Sequence, residues 1–354
     1  MSGSSLDGLD IVYVHLEETR GSWKFDIKAA DCLPYSEEWY KELKNICNLS
    51  VPEYLNLHTR YGRYLADCVN NFIEIHQLHH KVDFIASHGH TAYHNTDHQT
   101  SVQLGCGAAL SALTQIPVIS ELRAMDVALN GKGAPIVPIG DQLLFSSYDY
   151  WLNIGGIVNL SKRGENGIQA FDVCPGNQVL NALAEKRNKS MDEGGQMARS
   201  GILLPGVLAS LNQQEYFQLS APKSLSNEAA QLLAFPILFE SDNAIEDLLH
   251  TYCYHVAEQI SQSIQHVHTA ASPATMLITG GGAFNAFLVE KISALLQERH
   301  ITIEVPDEQL VQYKEALVMA LIGALRWREE VNVLSSVTGA KRNSISGALW
   351  IGNW

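Results

Sequence analysis

Apolar and polar residues alternate with a period of two in several short stretches of this chain, and each stretch borders a glycine-bearing loop, the pattern of strands that end at tight turns. Leu9 to Leu16 alternates directly after the small-residue segment Met1-Ser-Gly-Ser-Ser-Leu-Asp-Gly8. Val82 to Ser87 leads into His88-Gly-His-Thr91, Trp151 to Ile154 into Gly155-Gly156, and Met276 to Thr279 into Gly280-Gly-Gly282. Ile168 to Val173 ends in Cys174-Pro-Gly-Asn177. Between these lie helical patterns. Leu57, Tyr61, Leu65, Cys68, Phe72 and Ile75 recur at steps of three and four, which predicts one amphipathic helix of about 25 residues. Lys314 to Arg328 is apolar nearly all round, as a helix buried between layers is, with Glu315 read as an acid of its first turn. Strands alternating with helices predict an α/β protein whose sheets are covered by helices. The pattern breaks at residues 121 to 135, around Gly131-Lys-Gly-Ala-Pro135, where a domain boundary is expected.

Composition narrows the classes. At 354 residues the chain exceeds what one core usually supports, so two domains are expected. A formal net charge of -14 argues against nucleic acid or an anionic membrane as partner, because both need a basic surface. A magnesium-chelated nucleotide stays compatible with that charge. No apolar run reaches the roughly 18 residues of a membrane span and no basic segment precedes an apolar block, so a cytoplasmic location is expected. The six cysteines are scattered without a Cys-x-x-Cys pair, which suggests neither a disulfide framework nor a zinc ribbon.

The glycine turns carry the chemistry. Gly3 and Gly8 let backbone approach a ligand closely, Ser4 and Ser5 offer hydroxyls, Leu6 links them, and Asp7 suits a hydrated Mg²⁺ beside phosphates; the same segment also reads as a frayed terminus. Asn153-Ile-Gly-Gly-Ile-Val-Asn159 reads as a hairpin hinged at Gly155 and Gly156, and Thr279-Gly-Gly-Gly-Ala-Phe-Asn285 as strand then helix start. Each is a turn when taken singly; jointly they indicate nucleotide binding. Asp172 stands at the end of a strand, followed by a turn at Pro175-Gly176 and a helix that Asn177 caps. It suits a general base, or else a turn cap. His88, His90, His94 and His98 belong to a region holding seven of the fourteen histidines, at spacings that match no zinc template; sugar contacts or surface histidines are the readings left. Arg123 and Asp126 read either as a clamp for a substrate carboxylate and hydroxyl or as a surface pair.

Met-Ser-Gly-Ser-Ser-Leu-Asp-Gly, Ser-His-Gly-His-Thr, Gly-Lys-Gly-Ala-Pro-Ile-Val-Pro, Leu-Asn-Ile-Gly-Gly-Ile-Val-Asn-Leu, Phe-Asp-Val-Cys-Pro-Gly-Asn, Ala-Pro-Lys-Ser, Gly-Gly-Gly-Ala-Phe-Asn, Glu-Ala-Leu and Ser-Val-Thr-Gly-Ala, in this order along nearly the whole chain, resemble the anhydro-N-acetylmuramic acid kinase family. The resemblance implies two actin-like ATPase (ribonuclease H-like) domains around a central nucleotide cleft, one formed by residues 1–125 with 335–354 and the other by 126–334. It implies ATP and Mg²⁺, and a reaction that opens the 1,6-anhydro bridge of the sugar and phosphorylates O6 in cell-wall recycling. Asp172 is then the catalytic base. Gly3, Ser4, Ser5, Leu6, Asp7, Gly8, Gly155, Gly156, Asn159, Gly280, Gly281, Gly282 and Asn285 hold ATP, with Asp7 on Mg²⁺ through water. His88, Gly89, His90, Thr91, Arg123, Asp126, Gly176, Asn177 and Glu315 line or support the sugar site. A homodimer is left open.

Four departures from the family pattern set limits. Gly3-Ser4-Ser5 stands where Gly-Thr-Ser is usual, which keeps the hydroxyl. Asp172-Val-Cys-Pro-Gly-Asn177 replaces Asp-Thr-Gly-Pro-Gly-Asn, and His90 replaces a glutamine. Pro222-Lys-Ser-Leu-Ser-Asn-Glu228 lacks an arginine expected there. Relatives also carry a strand before the Met-Ser-Gly loop, so Met1 is read as an internal methionine of a longer chain, with a poorly ordered loop and low ATP affinity if it is not. The rival expectations are a kinase of the same fold acting on another sugar and a catalytically weak nucleotide-binding protein.

Overall fold

The structure is a computed structural model that describes residues 1–354 apart from 4–5, 96–97, 165–166, 222, 265–267 and 353–354. Its described strands are, in chain order, β1 (Gly8–Thr19), β2 (Ser22–Pro34), β3 (Ile85–Ala86), β4 (His90–Asn95), β5 (Thr100–Leu104), β6 (Val118–Ser120), β7 (Tyr150–Ile154), β8 (Ile157–Gly164), β9 (Gly167–Pro175), β10 (Ala274–Thr279), β11 (Ile301–Glu304) and β12 (Ala348–Trp350). With the intervening helices they form the mixed α/β architecture that the hydrophobic pattern predicts. Two compact units are present, Met1–Phe145 with Tyr313–Trp354, and Ser146–Gln312. Residues 126–145 and 313–334 thus group with the first unit, where the sequence reading had placed them in the second.

The second unit is built on one sheet in the order β11-β10-β7-β8-β9. β7, β8 and β9 are antiparallel, and β10 and β11 run parallel to β7, which is the ribonuclease H-like order. The β7–β8 hairpin turns at Gly155-Gly156 with Ile154 opposite Val158, as the sequence predicts. Leu152, Ile154, Val158, Leu160, Met276 and Ile278 are fully buried against helices Asn177–Glu185, Ile245–Ser263 and Ala286–Gln297. Between β8 and β9 the register slips, so that Asn159 faces Asp172 while Val158 faces Cys174. Val173 is the extra residue of this bulge. Val173 and Cys174 are both buried, and the strand alternation therefore restarts immediately after Asp172.

The first unit has no single continuous sheet among its described residues. β1 pairs only with β2, and β12-β6-β3 form a separate three-stranded sheet. An apolar cavity of about 380 Å³ lies between β1 and β3, lined by Ile11 and Tyr13 on one side and by Phe84 and Ile85 on the other. β3 is two residues long rather than the six expected; Ile85 and Ser87 donate to the neighbouring Pro117 and Ile119 carbonyls. The helix expected from the three-and-four spacing spans Val51–Ile75. It starts where the Ser50 N–H donates to Glu53 Oε2 at 2.8 Å, and it buries Leu57, Tyr61, Leu65, Cys68 and Phe72 along one face. The apolar helix runs Glu308–Trp327, so Glu315 lies two turns inside it and not in its first turn. No helix among the described residues is long and apolar enough to cross a membrane.

Candidate active site

In the second unit the predicted residues converge. Asp172 sits on β9 with both carboxylate oxygens engaged: Asn159 Nδ2 donates to Oδ1 and the Leu225 backbone N–H donates to Oδ2 at 2.8 Å. Its backbone is held as well, since its N–H donates to the Lys223 carbonyl at 3.0 Å and the Tyr216 hydroxyl donates to its own carbonyl at 2.7 Å. Burial pushes the Tyr216 hydroxyl upward in pKa and the Lys223 ammonium downward. A few residues beyond Asp172, the Gly176 and Asn177 N–H groups donate to the Gly156 and Gly155 carbonyls, both at 2.8 Å, and Asn177 Nδ2 donates to the Ile154 carbonyl at 3.2 Å. The Pro175 carbonyl accepts from the Tyr252 hydroxyl at 2.8 Å. The turn after Asp172 and the turn of the β7–β8 hairpin are therefore one hydrogen-bonded assembly.

The glycines divide into two kinds. A Cβ at Gly156 would meet nothing within 4 Å, and one at Gly155 or Gly281 would meet only ordinary contacts at 3.5 Å, so these backbones face open space that a ligand can enter. Gly280 and Gly282 serve packing instead. Gly280 has φ +83° and a Cβ there would lie 2.5 Å from Asn153 Oδ1; at Gly282 it would lie 2.1 Å from Ile154. Asn285, expected to hold nucleotide, caps the Ala286–Gln297 helix by accepting from the Leu288 N–H at 3.0 Å and is buried. Asn159 likewise spends its amide on Asp172.

In the first unit the loop ahead of β1 and the His88–Thr91 segment are tied together. Ser4 and Ser5 lie outside the described residues. Around them Ser2 pairs with Leu9 at the base of the loop, Gly3 is partly buried, Leu6 has φ +57°, and Asp7 is exposed. Gly8 is demanded by strand pairing, because a Cβ there would lie 2.7 Å from Cys32 Sγ. Ser2 Oγ accepts from the Tyr35 hydroxyl at 2.7 Å and lies 3.0 Å from His90 Nδ1, and Tyr35 is 2.6 Å from the Tyr61 hydroxyl. Gly89 has φ +68° and faces the Leu104 carbonyl so closely that no side chain fits. Thr91 is exposed on β4.

Arg123 is aimed by two partners. Its Nε–H donates to His88 Nε2 at 2.9 Å and its Nη1 to the Gly133 carbonyl at 2.5 Å. Burial lowers its pKa to about 10, with the Glu315 and Asp126 carboxylates pulling the other way. His88 is held well below the usual imidazole range by burial and by that guanidinium, and its Nδ1 lies 3.0 Å from the Gly89 carbonyl. Asp126 is fully buried, and its carboxylate accepts from the Gly133 N–H at 2.8 Å and the Thr338 hydroxyl at 2.7 Å, which fixes the Gly131–Gly133 turn. Burial raises the pKa of Glu315, against the pull of Arg123. His94 donates to or accepts from Ser101 Oγ at 3.1 Å, and no group of three or more potential metal ligands exists among the described residues.

Sequence reasoning missed Tyr216, Lys223 and Leu225, which reach Asp172 across 44 to 53 residues of chain. The Lys-Ser motif was the one available signal. Missed too were Gln178 Nε2 and Thr279 Oγ1, buried atoms beside the turns to which no partner donates or accepts among the described residues.

A carboxylate gripped on both oxygens beside open glycine turns, on a sheet of ribonuclease H-like order, is the arrangement of a phosphotransferase acting on a hydroxyl. Comparison with known proteins makes this specific. The family model described as anhydro-N-acetylmuramic acid kinase matches residues 1–352. The anhydro-N-acetylmuramic acid kinase of Francisella tularensis subsp. novicida (strain U112) is 33% identical over 99% of this chain and 97% of its own, and that of Sulfurovum sp. (strain NBC37-1) is 30% identical over 99% and 98%. Among solved structures, the activator of the 2-hydroxyisocaproyl-CoA dehydratase from Clostridium difficile with bound ADPNP matches at a TM-score of 0.34 and 20% identity, over 60% of this chain and 70% of its own, too slight a likeness to argue from. The chain belongs to the anhydro-N-acetylmuramic acid kinase family.

Proposed function

We propose that the chain is the ATP-dependent kinase its family implies, converting 1,6-anhydro-N-acetylmuramic acid and water to N-acetylmuramic acid 6-phosphate within cell-wall recycling. The observation that carries the reading of the site is the double grip on Asp172 beside the open Gly155-Gly156 turn. Asn159 and Leu225 each donate to one oxygen of the carboxylate, and the carboxylate so held accepts a proton from water. That water forms a bond to the anomeric carbon as the bond from that carbon to O6 breaks. O6 keeps the electron pair and bonds to the γ-phosphorus of ATP, whose bond to the ADP oxygen breaks. One strained ring thus supplies leaving group and nucleophile together.

The backbones of Gly3 to Gly8, Gly155, Gly156 and Gly281 suit contacts to nucleotide, with Gly280, Gly282, Asn159 and Asn285 acting behind them. Arg123 offers its fork to the sugar's carboxylate, with His88 and Asp126 supporting it, and His90, Thr91, Glu315, Gly176 and Asn177 complete the sugar contacts. Mg²⁺ fits the donor set. It needs only one or two carboxylates when substrate phosphates fill its other positions, and Asp7 is an exposed carboxylate at the end of the loop. When bound it would neutralise phosphate charge. The acidic chain, with no membrane-spanning helix among the described residues, suits small-molecule substrates in the cytoplasm and neither nucleic acid nor membrane.

A kinase of the same fold for another sugar is less well supported, because Val173 and Cys174, which depart from the family motif, are core residues. Incubation with ATP, Mg²⁺ and the anhydro sugar tests the proposal. The 6-phosphate is the expected product, and Asp172→Asn lowers its formation on the order of 10²–10⁴-fold while nucleotide binding persists. ATP binding without that product points to another sugar.

A further inference from the structure

We propose that residues 216–221 and 223–225 form a strap whose backbone tunes the base, with the Leu225 N–H as the positioning group for catalysis. The inference rests on the reading of Asp172 as that base. Three separate bonds reach Asp172 from this one segment: the Leu225 N–H to Oδ2, the Tyr216 hydroxyl to the Asp172 carbonyl, and the Asp172 N–H to the Lys223 carbonyl. The strap is itself fastened, since Lys223 Nζ donates to the Tyr216 carbonyl at 3.1 Å and stands 4.5 Å above the Tyr216 ring. Immediately after it, Ser226 Oγ accepts from the Ala229 N–H at 3.1 Å, capping helix Asn227–Phe239. The segment therefore enters a helix through a fixed cap with the Leu225 N–H and the Lys223 carbonyl set against β9. The bulge at Val173 is the complementary half of the device, because it interrupts the regular β8–β9 ladder beside the catalytic side chain.

A donor to a carboxylate stabilises its ionised form, and a base must be ionised to act. The Leu225 N–H keeps Asp172 competent toward lower pH and fixes which lone pairs face water. The titratable groups around Asp172 are Cys174 on its own strand, Tyr216 and Lys223 on the strap, and Tyr252 behind Cys174. The two tyrosines and the cysteine are neutral near pH 7, their pKa values raised by burial, so they do not titrate across the acid limb.

The test compares Leu225→Pro, which removes the N–H, with Leu225→Ala, which keeps it, in the full chain. The acid limb of kcat/KM for the sugar should move up by about one pH unit in Leu225→Pro, with kcat lowered on the order of tenfold and the ATP dissociation constant within twofold. Leu225→Ala should match the parent profile. An unmoved acid limb in a folded Leu225→Pro enzyme, with Asp172→Asn impaired, overturns the strap and leaves the base standing. Equal damage from Leu225→Ala also overturns it, since the side chain would then be responsible. Where the proline variant does not fold, Tyr216→Phe decides: a severalfold lower kcat with unchanged ATP binding supports the strap, and an unchanged kcat overturns it. Near-parental activity in Asp172→Asn removes the reading on which the strap depends.

Discussion

Arg123 donates its Nε–H to Nε2 of His88 across 2.9 Å, and that one contact fixes both residues. The arginine Nε carries a hydrogen at any accessible pH, so His88 Nε2 must be the acceptor, and the histidine is neutral with its proton on Nδ1 toward the Gly89 carbonyl. Burial favours the same neutral form. With Arg123 proposed to clamp the sugar, His88→Ala frees its guanidinium to turn away. The KM for the sugar should rise on the order of tenfold while the KM for ATP stays within twofold, in line with loss of one charge-assisted bond. Steady-state kinetics in both substrates checks this, and an unchanged sugar KM contradicts the clamp role of Arg123.

Three buried histidines give the fold a pH dependence with a definite sign. His88, His90 and His255 are each at least nine-tenths buried, and burial depresses each, His255 to about 3. Below the ordinary imidazole pKa the unfolded chain takes up protons that the native state refuses, so stability falls as pH falls from about 6.5. Each group removes up to about 1.4 kcal/mol per pH unit until its folded pKa is reached. Chemical denaturation should show lower stability at pH 5.5 than at pH 7.5, and replacement of His255 by an uncharged isostere should flatten the slope. Equal stability at the two pH values contradicts neutral burial.

Gly156 and Gly282 should respond oppositely to alanine. Gly156 has open space at the Cβ position, so Gly156→Ala should keep its melting temperature and lose ATP affinity on the order of tenfold. Gly282→Ala drives a methyl into Ile154 and should destabilise by about 1–3 kcal/mol, a fall of several degrees. Calorimetry with and without nucleotide separates the two effects.

What the sequence made legible were features with a local cause. The Val51–Ile75 helix follows from a repeating apolar face, and the β7–β8 hairpin from two glycines between alternating runs. What stayed hidden depends on distant partners. Asp126 reads as a surface acid until Thr338, more than two hundred residues away, is seen to hold it. Gly8 and Gly282 read as phosphate turns, whereas Cys32 and Ile154 are what exclude a side chain there. Nothing near Leu225 announces that its N–H meets a carboxylate on β9.

The most direct test of Asp172 as base is turnover in ¹⁸O-labelled water, read by mass spectrometry of the product fragments. The account predicts one ¹⁸O on the anomeric carbon, none in the phosphate, and a rate lowered on the order of 10²–10⁴-fold in Asp172→Asn with ATP binding intact. Label in the phosphate, or near-parental turnover by Asp172→Asn, would contradict it.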